Sequence, residues 1–383
     1  KCFQKGTPIL MYDRNVKNVE DVVSGDLVMG DDGSPRTVLN TTSGREELFE
    51  VKQNLGMTYV VNKSHVLSLK VGTNHNKYGY YKGNVVNISV DEYMSHYKTV
   101  KSSLCGYVGD FVNYGDDHIV KHPWLLGLWL ADGASDKAMI TLSTEDTELY
   151  EEVANEANYY DYDITISEEK SDSCYNVNIR KGFYKFLSGY GIRGSGLKRI
   201  PEEYITASYS DRLETLAGFL DGDGYAEPNK HMFELILKDT ELVNDIVFLA
   251  RSVGLRVSLK DKFSKCQNFC GETYKRVIIT GEVEKIPNRL SRKKRHPKSS
   301  ASKPRNFGVT GISVSPIGVG DYYGFSVDGN HLFCLADGTV THNSAVFSAI
   351  TYSLFGKDLD KLKPDEMMNI RNQKAMRVEI GFS

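Results

Sequence analysis

Two nonapeptides constrain this chain more than any other feature. Leu125-Leu126-Gly127-Leu128-Trp129-Leu130-Ala131-Asp132-Gly133 and Leu216-Ala217-Gly218-Phe219-Leu220-Asp221-Gly222-Asp223-Gly224 are one pattern met twice, with Asp132 and Asp223 91 positions apart. That separation fits one supersecondary unit per copy, a fused pseudo-dimer, better than a many-repeat solenoid. Each copy reads as an apolar helix with a glycine in its body and Asp-Gly at its end. The glycine costs helix propensity of about 1 kcal/mol but lets two helices approach closely. Packed side by side, the helices deliver Asp132 and Asp223 to neighbouring C-terminal ends. Two carboxylates there repel each other and meet an adverse helix dipole, so the arrangement calls for a bound cation. Mg²⁺, which takes few carboxylates and keeps waters for phosphate chemistry, is the natural candidate.

The surrounding texture divides the chain. Residues 2–70 read as short strands between turns: Gly6-Thr7-Pro8-Ile9-Leu10, Gly25–Gly30, Arg36-Thr37-Val38 and Thr58–Val61. Helical periodicity takes over after about residue 118, in Trp124–Ala131, Leu149–Ala157, Phe183–Leu187, Arg212–Leu220 and Leu242–Val253. Strand-like Tyr175–Ile179, Met232–Leu237, Val257–Leu259 and Val277–Ile279 fall between these helices, which indicates a mixed α+β domain. From Lys285 to Arg305 there are nine Lys/Arg, four serines and no Asp or Glu, the composition of a solvated linker. Strand texture returns in Gly311–Val314, Tyr322–Val327 and His331–Leu335 and stops at Asn343, beyond which Ser344–Phe355 has a helix pattern. An all-β domain is thus interrupted by an α+β insertion.

Composition excludes little but locates what remains. With 47 Lys+Arg against 50 Asp+Glu, no global charge announces a nucleic-acid or membrane partner, so any DNA site must be local. Six cysteines in 383 residues are too few and scattered for a disulfide framework; free thiols in a reducing cytoplasm are expected. No apolar stretch approaches the roughly 18–20 residues of a membrane helix. The start at Lys1-Cys2-Phe3-Gln4 suggests a fragment of something longer.

The paired nonapeptides resemble the motifs of LAGLIDADG homing endonucleases, over about residues 120–285. The resemblance implies a saddle-shaped domain that lays β-sheets in the major groove of double-stranded DNA and cuts both strands, with Asp132 and Asp223 at the metal-binding positions. Leu197-Lys198-Arg199-Ile200-Pro201 resembles the family's basic motif between the repeats, which makes Lys198 the accessory cation near the scissile phosphate. Lys260 and Lys275 are both open as its counterpart in the second half. Arg289, Arg292, Lys293, Lys294 and Arg295 could clamp phosphates or belong to the linker. Cys266 and Cys270 form a CxxxC without a second pair, so loop thiols are expected rather than zinc ligands.

The flanks resemble inteins. Cys2–Ile9 with Gly25-Asp26-Leu27-Val28 is similar to the opening block, and His331-Leu332-Phe333 with Gly338–Asn343 to the closing one. The resemblance, over about 2–100 and 306–343, implies the all-β Hint horseshoe and a self-splicing chemistry. In it Cys2 sulfur attacks the Lys1 carbonyl, and His65 of Ser64-His65-Val66-Leu67 protonates the departing Cys2 nitrogen. Ser344 hydroxyl then takes the acyl group. Asn343 cyclises with help from His342 and His331, and Lys1 is left joined to Ser344; no cofactor is needed for splicing. Two positions depart from the family pattern. Asn62 stands where a threonine is frequent, and Gly324 where many inteins have an aspartate, which leaves Cys334 or Asp328 as alternative contributors.

Joining Lys1 to Ser344 regenerates Lys-Ser-Ala-Val-Phe-Ser, which resembles the Lys-Ser end of a P-loop and its helix in SMC-like recombination and repair ATPases of the SbcC type and their phage relatives. There the lysine reaches the β/γ-phosphates of ATP and the serine binds Mg²⁺. The expected organisation is an N-extein residue 1, a Hint part over 2–100, the endonuclase with its basic linker over 101–300, a second Hint part over 301–343, and a P-loop α/β ATPase fragment over 344–383. The partners implied are intein-free host DNA and the intein's own exteins, and the excised element is expected to be monomeric. Two other readings stand: a splicing-competent intein whose insert binds DNA without cutting or is merely structural, and a DNA-processing ATPase with a permanent insertion.

Overall fold

The computed structural model describes residues 2–115, 117–168, 173–180, 182–194, 197–227, 230–238, 240–264, 272–296 and 308–343. Lys1, Ser344, the helix pattern expected after it, and Cys266 and Cys270 lie outside the described residues. The chain forms two compact units, one from both ends (1–109 with 308–383) and one from the middle (110–307).

The first unit is built on an eight-stranded sheet in the order Leu27–Met29, Pro35–Gln53, Tyr59–Asn62, Phe3–Gln4, Val309–Val327, Leu104–Tyr107, Val66–Val71 and Val85–Ser89. Its backbone is a pair of 19-residue strands, Pro35–Gln53 and Val309–Val327, antiparallel from Ile312↔Gln53 to Val327↔Val38 with register shifts at Pro316/Gly318 and Ser326/Val327. Sequence patterning predicts only short strands here. Residues 39–47 are nearly all exposed, so no buried face imposes the alternation by which a strand is recognised. Pairing with the Val319–Ser326 stretch keeps them extended. Phe3, Ile9, Val28, Val51, Val61, Val90, Val327, Phe333 and Leu335 form the buried core, where the two ends of the chain pack together. Removing such side chains from water is the main favourable term holding the two halves as one domain.

The second unit repeats itself. After the Pro123–Asp132 helix come the Met139–Ser143 strand, the Thr147–Tyr159 helix and the strands Ile164–Glu168 and Cys174–Ile179. After the Tyr209–Asp223 helix come Met232–Leu237, the Thr240–Ser252 helix, and the strands Arg256–Ser264 and Glu272–Thr280. Each copy makes a three-stranded antiparallel sheet whose last strand lies in the middle. Pro123 opens the first motif helix with its preset φ, and the Ser208 hydroxyl caps the second by accepting the Asp211 N–H at 3.2 Å.

The two motif helices touch backbone to backbone at their glycines. A Cβ on Gly127 would lie 2.1 Å from the Thr215 carbonyl oxygen, and one on Gly218 1.9 Å from that of Trp124. Only hydrogen fits at either point. Gly218→Ala is therefore expected to force the helices apart and destabilise the unit by about 1–3 kcal/mol despite its better helix propensity. A lowered unfolding midpoint of the middle unit in calorimetry checks this, and an unchanged midpoint would contradict the packing.

The segment expected as a solvated linker is folded over its described part. Val283–Lys285 is a 3₁₀ turn, and Ile286, Asn288, Leu290 and Lys293 are buried. Its charge is absorbed inside the unit, where Arg289 pairs with Glu214 at 2.7 Å and Arg292 with Asp146 at 2.8 Å. A run of cations without acids looks like linker in sequence because its counter-charges come from distant elements.

Candidate functional sites

In the middle unit the motif helices end side by side. A Cβ on Gly222 would sit 2.5 Å from Ala131 Cβ and 2.6 Å from an Asp132 carboxylate oxygen, which places the two Asp-Gly ends in contact. Burial, with the Asp223 charge adding to it, pushes the Asp132 carboxyl up to about 6; burial also raises Asp223, against the pull of Lys198 and Lys293. Each helix end carries an ammonium. Lys198 Nζ donates to the carbonyls of Trp129 and Leu130 at 3.1 Å and Gly133 at 2.6 Å. Lys293 Nζ donates to Leu220 at 3.0 Å, Asp221 at 2.6 Å and Gly222 at 2.7 Å. A cation at a helix C-terminus satisfies orphan carbonyls and offsets the dipole. Burial lowers both lysines to about 8.

Buried carboxylates hold the segments that bear these lysines. Asp245 accepts from Arg199 and from the Ile200 N–H at 3.1 Å, next to Lys198. Asp221 accepts from Asn288 at 3.0 Å, the Arg289 N–H at 2.8 Å and Trp124 Nε1 at 2.9 Å. Asp221 is thus committed to the segment leading to Lys293, whereas Asp132 and Asp223 have no such network among the described contacts. Two neighbouring carboxylates, each resisting ionisation in the cation-free protein, are acidic oxygen donors of the kind a hard divalent cation takes.

The linkage has a definite sign. With its folded pKa raised, Asp132 contributes stability to the cation-free protein that is complete below about 3.8 and lost as pH rises through about 6. Cation binding needs the ionised form, so Mg²⁺ affinity is expected to weaken as pH falls from 7.5 to 5. Titration calorimetry at the two values checks this, and equal affinity would contradict it.

In the first unit the segments that bear Cys2 and Asn343 both meet the Tyr323–Phe325 stretch. Cys2 is buried; its N–H donates to Asn62 Oδ1 at 2.8 Å, and the Asn62 N–H returns a bond to Cys2 O at 3.1 Å. Burial pushes the Cys2 thiol up, with the Glu46 charge acting in the same direction. Phe3 pairs with Tyr323 and Gln4 with Tyr322, so the pairing stops one residue short of Cys2 and of Gly324. One residue on, Phe325 O accepts from the Asn343 side-chain amide, while the Asn343 N–H donates to His331 O at 2.9 Å. His331 and His342 have ring centroids 6.0 Å apart, and His331 Nδ1 lies 2.9 Å from Val327 O. His65 is fully buried, with Nε2 3.0 Å from Thr341 Oγ1 and its ring edge-on to Phe3 at 4.8 Å.

Comparison with known families gives two matches. Residues 2–102 fit the model described as Hom_end-associated Hint, and residues 199–298 fit the model of the homing endonuclease family. The chain joins a Hint domain to a homing endonuclease domain.

Among curated proteins the chain is 25% identical over 350 residues to the replicative DNA helicase DnaB of Mycobacterium intracellulare, covering 85% of this chain and 56% of the helicase. It is also 22% identical over 167 residues to the homothallic switching endonuclease of Saccharomyces cerevisiae, covering 37% of this chain and 28% of that protein. The chain spans little more than half the length of the helicase. Among solved structures, a mesophilic variant of the homing endonuclease I-DmoI aligns with 41% of this chain and 86% of its own, at 14% identity and TM-score 0.30. The gp41-1 intein aligns with 28% and 67%, at 16% identity and TM-score 0.20.

The Hint domain brings together Cys2, His65, His331, His342 and Asn343, and the endonuclease domain brings together Asp132, Asp223 and Lys198. The second helix end corrects the expectation that Lys260 or Lys275 serves there. Lys260 is exposed on a strand and Lys275 pairs with Asp261 at 2.6 Å, while the ammonium at the helix is that of Lys293. A spacing signal existed, since Lys198 follows Asp132 by 66 positions and Lys293 follows Asp223 by 70. Asp328 and Cys334, the alternatives to the missing aspartate, are engaged elsewhere: Asp328 accepts the Thr37 N–H at 2.8 Å, and Cys334 Sγ lies 3.5 Å from Gly30 O.

Proposed function

We propose that the chain is a self-splicing intein carrying a DNA-cutting homing endonuclease. The observation that carries the splicing reading is that one strand segment holds both junction residues: Tyr323 pairs with Phe3 beside Cys2, and Phe325 O holds the Asn343 side chain. Such convergence is what a reaction between two distant peptide bonds requires.

Burial keeps the Cys2 thiol protonated, so its attack on the Lys1 carbonyl carbon is coupled to delivery of a proton to the Cys2 nitrogen. His65 serves as the acid for that nitrogen. The Ser344 hydroxyl then takes the acyl group and frees the Cys2 thiol. The Asn343 amide nitrogen closes on its own carbonyl and breaks the bond to Ser344, assisted by His331 and His342. An O-to-N acyl shift joins Lys1 to Ser344. One peptide bond replaces another, so no ATP is consumed.

In the endonuclease domain Asp132 and Asp223 would hold Mg²⁺, which supplies Lewis-acid stabilisation at a phosphodiester and an acidified water. Lys198 and Lys293 place positive charge at the same ends, suited to the charge that develops on a cleaved phosphate. Arg256, Lys260 and Lys262, at positions that share one face of a strand, support an anionic duplex as the substrate; Arg276, across from Lys260, pairs with Glu234 at 2.7 Å. The recreated Lys-Ser pair supports a P-loop ATPase as host, using ATP and Mg²⁺ once spliced, and its uninterrupted gene as the DNA target. Expression of residues 1–383 tests the reading on a protein gel. Splicing resolves the 43.0 kDa chain into two products, and a permanent insertion leaves one band.

A further inference from the structure

We infer that Glu46 is a positioning residue for the first step of splicing, acting on the Lys1–Cys2 peptide bond through Asn62. The inference rests on the splicing reading above. Asn62 holds Cys2 by both backbone groups, accepting its N–H at Oδ1 and donating to its carbonyl. Which end of an Asn amide faces which neighbour is decided by the hydrogen-bond network. Here Asn62 Nδ2 donates to Glu46 Oε2 at 2.7 Å and to Ser64 Oγ at 3.0 Å. An ionised carboxylate can only accept, so Glu46 requires the NH₂ on its own side and leaves Oδ1 for the Cys2 N–H, which can only donate. Leu48 pairs with Asn62, and Glu46, two positions before it on the same strand, lies on the same face. The carboxylate is therefore fixed by the fold.

The chemistry gives this arrangement a use. When Cys2 sulfur bonds to the Lys1 carbonyl carbon, the C–N bond breaks and its electron pair stays on the Cys2 nitrogen. The thiol proton leaves sulfur and a proton arrives on nitrogen, so the amide becomes an amine and acquires positive character as it is expelled. Its hydrogen bond to Asn62 Oδ1 thereby changes from neutral to charge-assisted. The negative charge of Glu46 on the Nδ2 side polarises the Asn62 amide and makes Oδ1 the better acceptor. The pair stabilises the departing nitrogen more than the resting peptide, which is the condition for accelerating a step.

The test uses the full chain between two tag proteins with Asn343→Ala, so that only the first junction reacts, and follows release of the N-terminal tag by dithiothreitol. Glu46→Gln is expected to slow that release roughly tenfold to hundredfold, while Glu46→Asp, which keeps the charge, recovers part of the loss. Asn62→Ala should show the same defect, and adding Glu46→Gln to it should cost little more. In a Cys2→Ala precursor, Asn343-dependent release of the C-terminal tag should be untouched by Glu46→Gln, whereas a merely structural role would slow both junctions. Unchanged thiol release in Glu46→Gln, or equal losses at both junctions, would overturn the inference. No thiol release in the Asn343→Ala parent itself would instead remove the splicing reading on which it rests.

Discussion

Replacing Asn343 by alanine is expected to abolish release at the second junction while the first junction still reacts. The Asn343 amide is the proposed nucleophile, and alanine offers none, so the loss should be effectively complete rather than partial. The substitution is small in structural terms. It leaves the Phe325 carbonyl without its side-chain donor, a cost of about 1–3 kcal/mol for a buried acceptor, and the paired 19-residue strands and the aromatic core around Phe3 and Phe333 are untouched. The variant precursor should therefore accumulate, folded, with a Cys2 thioester that added thiol cleaves. A gel with and without thiol reads this directly, and normal ligated product from the alanine variant would refute the assignment.

Asp132→Asn has the second large effect, in the other domain. The change keeps the size of the side chain and removes the charge that the site disfavours, since burial and Asp223 together hold the Asp132 carboxyl near 6. The cation-free domain should consequently be at least as stable as the parent at pH 7.5. A neutral amide is a poor Mg²⁺ ligand, so cleavage of a plasmid carrying the uninterrupted host sequence should fall by about 10³-fold or more. Splicing should proceed as in the parent. If it failed as well, the assignment of the two reactions to separate domains would be wrong.

What the sequence made legible follows from how locally each feature is encoded. The Thr147–Tyr159 helix and the strand Met232–Leu237 lie where apolar periodicity places them, because each buries one face, whereas the motif helices, buried on all sides over Trp124–Leu130 and Thr215–Asp221, are legible from the repeated nonapeptide. The interior of Pro35–Gln53 does not, because Asn40–Glu47 are held by pairing with the far end of the chain and carry no periodic signal. The same non-locality hid Lys293. In sequence it is one of a run of cations after Lys285, and its role at a helix end depends on Asp221 holding the Asn288–Leu290 turn from another element. Glu46 was equally invisible, since its partner Asn62 becomes a neighbour only by strand register.

The measurement that goes furthest is the intact mass of the products after expressing residues 1–383 between two tag proteins. Splicing predicts a species in which both tags are joined through Lys1 and Ser344, together with a free fragment with the mass of residues 2–343. A single uncut precursor that persists under reducing conditions would contradict the proposal at its centre.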